Sequence, residues 1–304
     1  MSAPLKQFEF SGAEPGPRLL ITGAVHGDEF EPIFAIRRLI SYFQDQATPP
    51  LARGGVTLIP VVNEAAFLRG HRCAEDGLDL ARTCPGSEVG SITEQTAWRL
   101  SAAIRQADFY IDLHTGGTEL AVQPLAGYML HPNPHVLAHQ RRMARAFNLP
   151  IIWGTSSELE GRSLSVARDA QVPAIYCEYL GSAVCDPVGI DAYFNGCLNV
   201  MAELGMLERT RAANLVEHVV ENPRPNSGHM QVCNPSPVTG YFESHVTLGQ
   251  PISRGESLGF VFPLDGGSPV PITATESGLV IVLRTFPRIR EGESVGVILE
   301  LTEG

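Results

Sequence analysis

No two cysteines fall at close spacing. The six, Cys73, Cys84, Cys177, Cys185, Cys197 and Cys233, are scattered and include no CxxC pair. A thiolate-rich structural zinc site therefore has no support, and scattered thiols in a chain this long are read as reduced. The expected compartment is the cytoplasm. Also missing is any run of Lys and Arg: 22 basic residues stand against 33 acidic ones, a formal charge of −11. That balance argues against a protein that grips a nucleic-acid backbone or an anionic membrane surface. No window approaches a membrane span, and the N-terminal "MSAPLKQFEF" holds no apolar segment of signal-peptide length. What remains is ordinary for a compact protein: 304 residues, 44% hydrophobic and 18% charged. That length fits one large domain, alone or with a small one.

Short apolar runs alternate with helical patterns through the first two-thirds. "RLLITGAV", "GVTLIPVVN", "DFYIDLHTG" and "VPAIYCEYLG" read as strands. "EPIFAIRRLISYFQ", "TEQTAWRLSAAIRQA", "NPHVLAHQRRMARAFNL" and "DAYFNGCLNVMAELGML" read as helices. Near-continuous apolar strands between amphipathic helices predict an α/β fold, a mixed twisted sheet with helices on both faces. The stretch "VVENPRPNSGHM" is punctuated by Pro, Gly and Asn, and beyond it come short strands with glycine turns. The expected division is a catalytic domain over 1–222 and a small all-β domain over 228–304. The glycine-turn, short-strand rhythm of that tail resembles a barrel-sandwich carrier domain. No lysine stands at the hairpin "TESGLV", however, so a covalent cofactor arm is not expected.

Polar residues cluster at the ends of the four predicted strands. His26, Asp28 and Glu29 follow the first, Asn63 the second, Asp112 and His114 the third, and Glu178 ends the fourth. In open α/β sheets the ligand crevice lies at the carboxyl ends of the strands, so all of these are expected on one rim. His26 and Glu29, three apart, can reach one ion from a single tight turn, with His114 arriving from a distant strand. Two nitrogens and a carboxylate with an open position match catalytic zinc. Asp28 is left as a turn or supporting acid. The plainer alternatives are an HxxE that merely decorates a loop, a His114 satisfied by backbone, and a Glu178 paired with an arginine. His135 and His139, four apart on a predicted helix, are assigned to a solvated face.

The ordered segments "GAVHGDE", "NEAAFLRGHRCAEDGLDLARTCPGS", "DLHTG" and "YCEYLG" resemble the landmarks of the succinylglutamate desuccinylase/aspartoacylase family, a branch of the zinc carboxypeptidase-like hydrolases. The resemblance covers most of 19–200 and the β-rich tail. It implies that His26, Glu29 and His114 hold one zinc ion per chain and that Glu178 is the general base. Arg72 matches the family arginine that meets the oxyanion, and Arg82 the one that grips a substrate carboxylate. Arg69 and Asn63 are weaker substrate-facing candidates. Ala81 departs from the pattern, standing where the family has asparagine, and Cys84 stands where it has phenylalanine. The loss of that amide undermines a standard α-carboxylate clamp.

The expected activity is a zinc-dependent deacylase cleaving a small N-acyl amino acid or N-acyl amine. The alternatives are a zinc carboxypeptidase acting on short peptides and a catalytically silent small-molecule binding protein. The expected partner is that small molecule, without nucleic acid or membrane, and homo-oligomerisation is left open. Tyr179, Tyr241 and Arg162 remain unassigned.

Overall fold

A computed structural model describes residues 4–45, 51–210 and 212–301. The N-terminal part runs β1 (Phe8–Ser11), β2 (Glu14–Thr22), α1 (Glu31–Gln44), β3 (Arg53–Ile59), α2 (Glu64–Arg69), α3 (Ile92–Gln106) and β4 (Phe109–Leu113). Then follow β5 (Leu120–Met129), α4 (Pro134–Phe147), β6 (Ile151–Thr155), α5 (Ser163–Asp169), β7 (Ala174–Gly181), α6 (Pro187–Glu203) and β8 (His218–Glu221). The tail holds β9 (Gly240–Ser244), β10 (Pro251–Ile252), β11 (Ser257–Pro263), β12 (Val270–Thr273), β13 (Gly278–Arg284), β14 (Arg288–Ile289) and β15 (Gly296–Leu299).

The large sheet is mixed. Strands β3, β2, β4 and β7 are parallel neighbours, flanked by antiparallel β1 and β5. Alternation along each strand sends side chains to opposite faces. Ile111, Leu113, Ile175 and Cys177 enter one core with α1, α4 and α6; Tyr110, Ala174 and Tyr176 enter the other with α3 and α5. Helix α1 supplies Ala35, Ile36, Leu39 and Ile40 at three-to-four spacing, all buried. Each large aliphatic among them contributes about 1.5–3 kcal/mol by leaving water. Helix α3 starts on a capping box, Ser91 accepting from Glu94 N–H while Glu94 accepts from Ser91 N–H.

The expected parallel strands and major helices are all present, and β1, β5, β6, β8, α2 and α5 add to them. Strand β5 matters most, because its outer edge is shared. Its second half pairs with β6, and its first half with β13 of the tail, through Val282↔Val122, Leu283↔Ala121 and Arg284↔Leu120. The tail is thus not free-standing. Strands β12-β11-β9-β14 form a separate four-stranded sheet, while β13, β15 and β10 continue the main sheet. The tail has its own apolar cluster around Phe242, Leu258, Val261 and Val280. A second cluster joins Val282 and Leu299 to Leu125, Ile151 and Trp153. No described helix is long and apolar enough to cross a membrane.

Candidate metal centre and active site

The parallel strands end on one rim, and the chemistry gathers there. His26 and Glu29 lie in the turn between β2 and α1, and His114 directly follows β4. All three are buried, at 3%, 1% and 8% exposure, and one donor atom from each lies within 4.8 Å of the others. Among the described residues this is the one such cluster of three or more potential ligands. His26 Nδ1 is 2.6 Å from one Glu29 oxygen, and His114 Nδ1 is 3.1 Å from the other.

The outward ring nitrogens are also held by carboxylates. His26 Nε2–H donates to Asp79 Oδ1 at 3.0 Å, and His114 Nε2–H meets Asp112 Oδ2 at 3.1 Å. A neutral imidazole has one N–H to give. With Nε2–H given to the outer acid, each Nδ1 turns a lone pair toward Glu29, itself anionic. Such a meeting of acceptors needs a cation at its centre, or protons on both rings. A single zinc ion fits the donor set, two imidazoles and a carboxylate with supporting acids behind the imidazoles. Without a metal, a proton on the His114 ring partly fills that role. Burial pushes the His114 pKa down, but Asp112 and Glu29 together raise it well above the usual imidazole range. Glu29 shows the reverse balance: burial pushes its carboxyl up, and the two imidazoles outweigh that to hold it at about 2.

Both supporting acids are themselves braced. Asp112 is fully buried and accepts from Thr22 Oγ at 2.8 Å and from Ser163 Oγ. Asp79 accepts from Ala81 N–H at 2.9 Å on one oxygen and from Arg72 Nε and Nη2, at 3.1 and 2.9 Å, on the other. Arg72 turns its remaining Nη1 toward Glu29 Oε1, 4.0 Å away.

A cavity of about 750 Å³, counted with its open mouth, adjoins this cluster. That is the size class of small-ligand sites. His26, Glu29, His114, Arg72, Arg82 and Glu178 all line it, so the structure brings six of the eight expected site residues to one wall. The other two lie elsewhere. Asn63 is consumed by backbone, accepting from Ala66 N–H at 3.2 Å to cap α2 and donating to Val25 O at 3.4 Å. Arg69 donates to the carbonyls of Cys73 and Ala74 and braces its own loop.

Glu178 stands on β7 opposite Leu125, beside a register shift between Val122 and Leu125 of β5. A bulge of this kind re-aims neighbouring side chains. Its Oε2 is buried without a hydrogen-bond partner at the wall of the cavity, which leaves it available to a ligand there. Burial raises its carboxyl to about 8, His114 and Arg72 offsetting part of the effect.

Arg162 lines the cavity, and so does Tyr176. Tyr179 and Tyr241 do not: Tyr179 packs on Tyr193, ring centroids 6.1 Å apart, and Tyr241 is half-exposed, stacked on Phe262. Two-residue periodicity carries the signal, since Tyr176 shares the face of Glu178 on β7 and Tyr179 does not. Asp79, also unforeseen, could have been found as the acid of "DLARTCPG". His135 is exposed; His139 is half-buried and packs beside Phe109.

A mixed α/β sheet with a His–Glu–His donor set and a buried glutamate beside it on its carboxyl rim defines the class. Over residues 15–204 the chain matches the succinylglutamate desuccinylase/aspartoacylase catalytic domain. It is 30% identical over 302 residues to an N-alpha-acetyl-L-2,4-diaminobutyric acid deacetylase of Halomonas elongata, covering 95% of this chain and 83% of that protein. The product-bound structure of the ectoine utilization protein EutE (DoeB) from Ruegeria pomeroyi superposes with a TM-score of 0.85 at 26% identity, covering 97% of this chain and 88% of the other. A succinylglutamate desuccinylase/aspartoacylase from Rhodobacter sphaeroides shares the fold, with a TM-score of 0.81 at 24% identity over 96% of this chain and 87% of that one. The chain belongs to the succinylglutamate desuccinylase/aspartoacylase family.

Proposed function

We propose that this protein is a zinc-dependent deacylase that hydrolyses the amide bond of a small N-acyl amino acid. The observation that carries the reading is the buried Glu178 carboxyl, its Oε2 without a hydrogen-bond partner, sharing one cavity wall with His26, Glu29 and His114. Family membership and the deacetylase relative support a hydrolase that removes acyl groups. His26 and His114, through Nδ1, and Glu29 would hold one zinc ion per chain. Bound there, zinc supplies Lewis acidity, lowering the pKa of a water molecule toward neutrality and polarising a carbonyl oxygen.

Glu178 takes a proton from the attacking water and returns it to the departing amine. Its Oε2, buried beside the three ligands and without a hydrogen-bond partner of its own, is placed for both transfers. Arg72, anchored on Asp79, turns Nη1 toward the reacting centre and meets the charge that grows on the carbonyl oxygen. Arg82 and Arg162 receive the substrate carboxylate. Burial and the neighbouring Arg162 pull the Arg82 guanidinium down to about 10, so an anion between the two is favoured.

The test is a panel of N-acetyl amino acids and dipeptides with zinc content measured in parallel. Exhaustive chelation is expected to abolish turnover, and about one zinc per chain to restore it. Glu178→Gln is expected to lower kcat by about 10²–10⁴-fold while keeping its zinc. Full activity in metal-free protein, or near wild-type turnover by Glu178→Gln, would refute the reading.

A further inference from the structure

The charges on the cavity wall are lopsided. Glu29 and Glu178 are its sole carboxylates among the described residues, and both are committed to the reaction in the reading above. Against them stand Arg82 and Arg162, with Arg72 already paired to Asp79 behind the wall. The rest is largely apolar, with Leu120, Val122, Leu164 and Met230 around the bed of Tyr176. Asp28 and Glu119 line the neighbouring cleft rather than this wall; Asp28 is buried there, its Oδ2 accepting from Thr118 N–H at 2.8 Å while Oδ1 has no partner. Ala81, where the family has asparagine, adds a methyl group to the wall in place of an amide.

We infer that the substrate is an N-acyl amino acid that carries its α-carboxylate but no positive charge on its side chain. This rests on the deacylase reading and narrows it. A side-chain ammonium brought into this cavity would lose its water, meet the Arg82 and Arg162 guanidinium groups and find no uncommitted carboxylate on this wall. Leaving a buried charge unpaired is among the costliest defects in a binding site. A methyl group at the same position instead gains apolar contact. The lopsided wall thus excludes cationic side chains as firmly as it accepts an anion.

Two substrates of equal length isolate that one difference. N-acetyl-L-norvaline ends in a methyl group where Nα-acetyl-L-2,4-diaminobutyrate ends in an ammonium. With zinc-loaded protein at pH 7, kcat/KM is expected to favour the norvaline derivative by about 100-fold or more. Zinc-loaded Glu178→Gln protein, titrated calorimetrically with each compound, is expected to give the same order of Kd. Equal or better hydrolysis of the diaminobutyrate derivative, equal Kd values, or no binding of either compound at millimolar concentration would overturn the inference. If the variant binds the norvaline derivative more tightly while the wild type hydrolyses nothing, the deacylase reading fails and this inference stands. Met230→Glu, which puts a carboxylate on the wall, is expected to move the kcat/KM ratio at least tenfold toward the diaminobutyrate compound, and an unmoved ratio in folded protein counts against it.

Discussion

The two halves of the cavity are built on different principles. In the metal half each imidazole is held from behind by an acid, and each acid by further donors drawn from other elements. Asp112 ties together β2, β4 and the start of α5, through Thr22, His114 and Ser163. In the recognition half the contacts come from short turns and loops: Arg82 ends a 3₁₀ turn over Leu80–Arg82, Arg162 precedes α5, and Met230 opens a second 3₁₀ turn at the start of the tail. Geometry fixed by a rigid sheet suits a reaction with little tolerance, whereas loop-borne contacts let the substrate change without disturbing the chemistry.

Separating the halves by mutation gives the largest expected effects. Asp112→Asn removes the charge that supports His114, and zinc affinity is expected to fall about 10–100-fold. With zinc in excess, its KM should stay near the wild-type value. Arg162→Met should do the reverse, raising KM about 10–100-fold through loss of a charged hydrogen bond while zinc affinity is unchanged. Zinc titration with a competing chelator, paired with steady-state kinetics, reads both. A rise in KM for zinc-saturated Asp112→Asn, or a loss of zinc by Arg162→Met, would dissolve the distinction.

The metal half was also the more legible in the sequence. His26, Glu29, His114 and Glu178 sit at the exits of strands whose apolar runs are continuous, and parallel strands place such exits on one rim. Strand β5 was hidden by its own residues. Pro124 and Gly127 interrupt "ELAVQPLAGYML", and either argues locally against a central strand. Their reasons lie in other strands. Pro124 falls within the register shift against β7, where a missing N–H costs no ladder bond, and Gly127 lies beneath the Tyr176 ring. Asn63 and Arg69 were expected at the substrate because strand ends and the neighbouring loop gather polar groups; a cap and a loop brace claimed them first. The pairing of β13 with β5 joins residues far apart in the chain and leaves no local pattern to read.

Gly127 lets the comparison be pressed at the boundary between the halves. A Cβ built there would stand 2.2 Å from the Cε1 and Cζ atoms of Tyr176, directly across the strand pair. Gly127→Ala must push the ring toward the cavity or part β5 from β7. The expected cost is about 1–3 kcal/mol of stability. KM should also rise, with zinc content preserved, since Tyr176 lies on the recognition side. Denaturant unfolding and metal analysis check this, and an unchanged midpoint would mean that the ring has somewhere else to go.

The smallest expected effect has the opposite sign. Just beyond Glu178 the backbone runs through positive φ at Leu180, Gly181, Ser182 and Ala183, with values of 44°, 129°, 61° and 57°. Non-glycine residues there are strained by about 1–2 kcal/mol each. The segment persists because backbone hydrogen bonds hold it, Ser182 N–H to Leu120 O at 2.9 Å and Ala183 N–H to Gly117 O at 3.0 Å. Ala183 is exposed, so trimming its methyl group sacrifices no packing. Ala183→Gly relieves the strain and, after the greater freedom of glycine in the unfolded chain is subtracted, should stabilise the protein by about 0.5–1 kcal/mol. In a domain of this size that is a rise in Tm of about 1–4 °C. The anchoring hydrogen bonds involve the main chain alone and survive the change, so kcat should stay within about twofold of wild type. A lower Tm would show that the left-handed turn at Ala183 is not where strain resides. A fall in kcat at unchanged zinc content would show instead that the stiff exit of β7 holds Glu178 in place, extending the rigid, sheet-borne character of the metal half to its base.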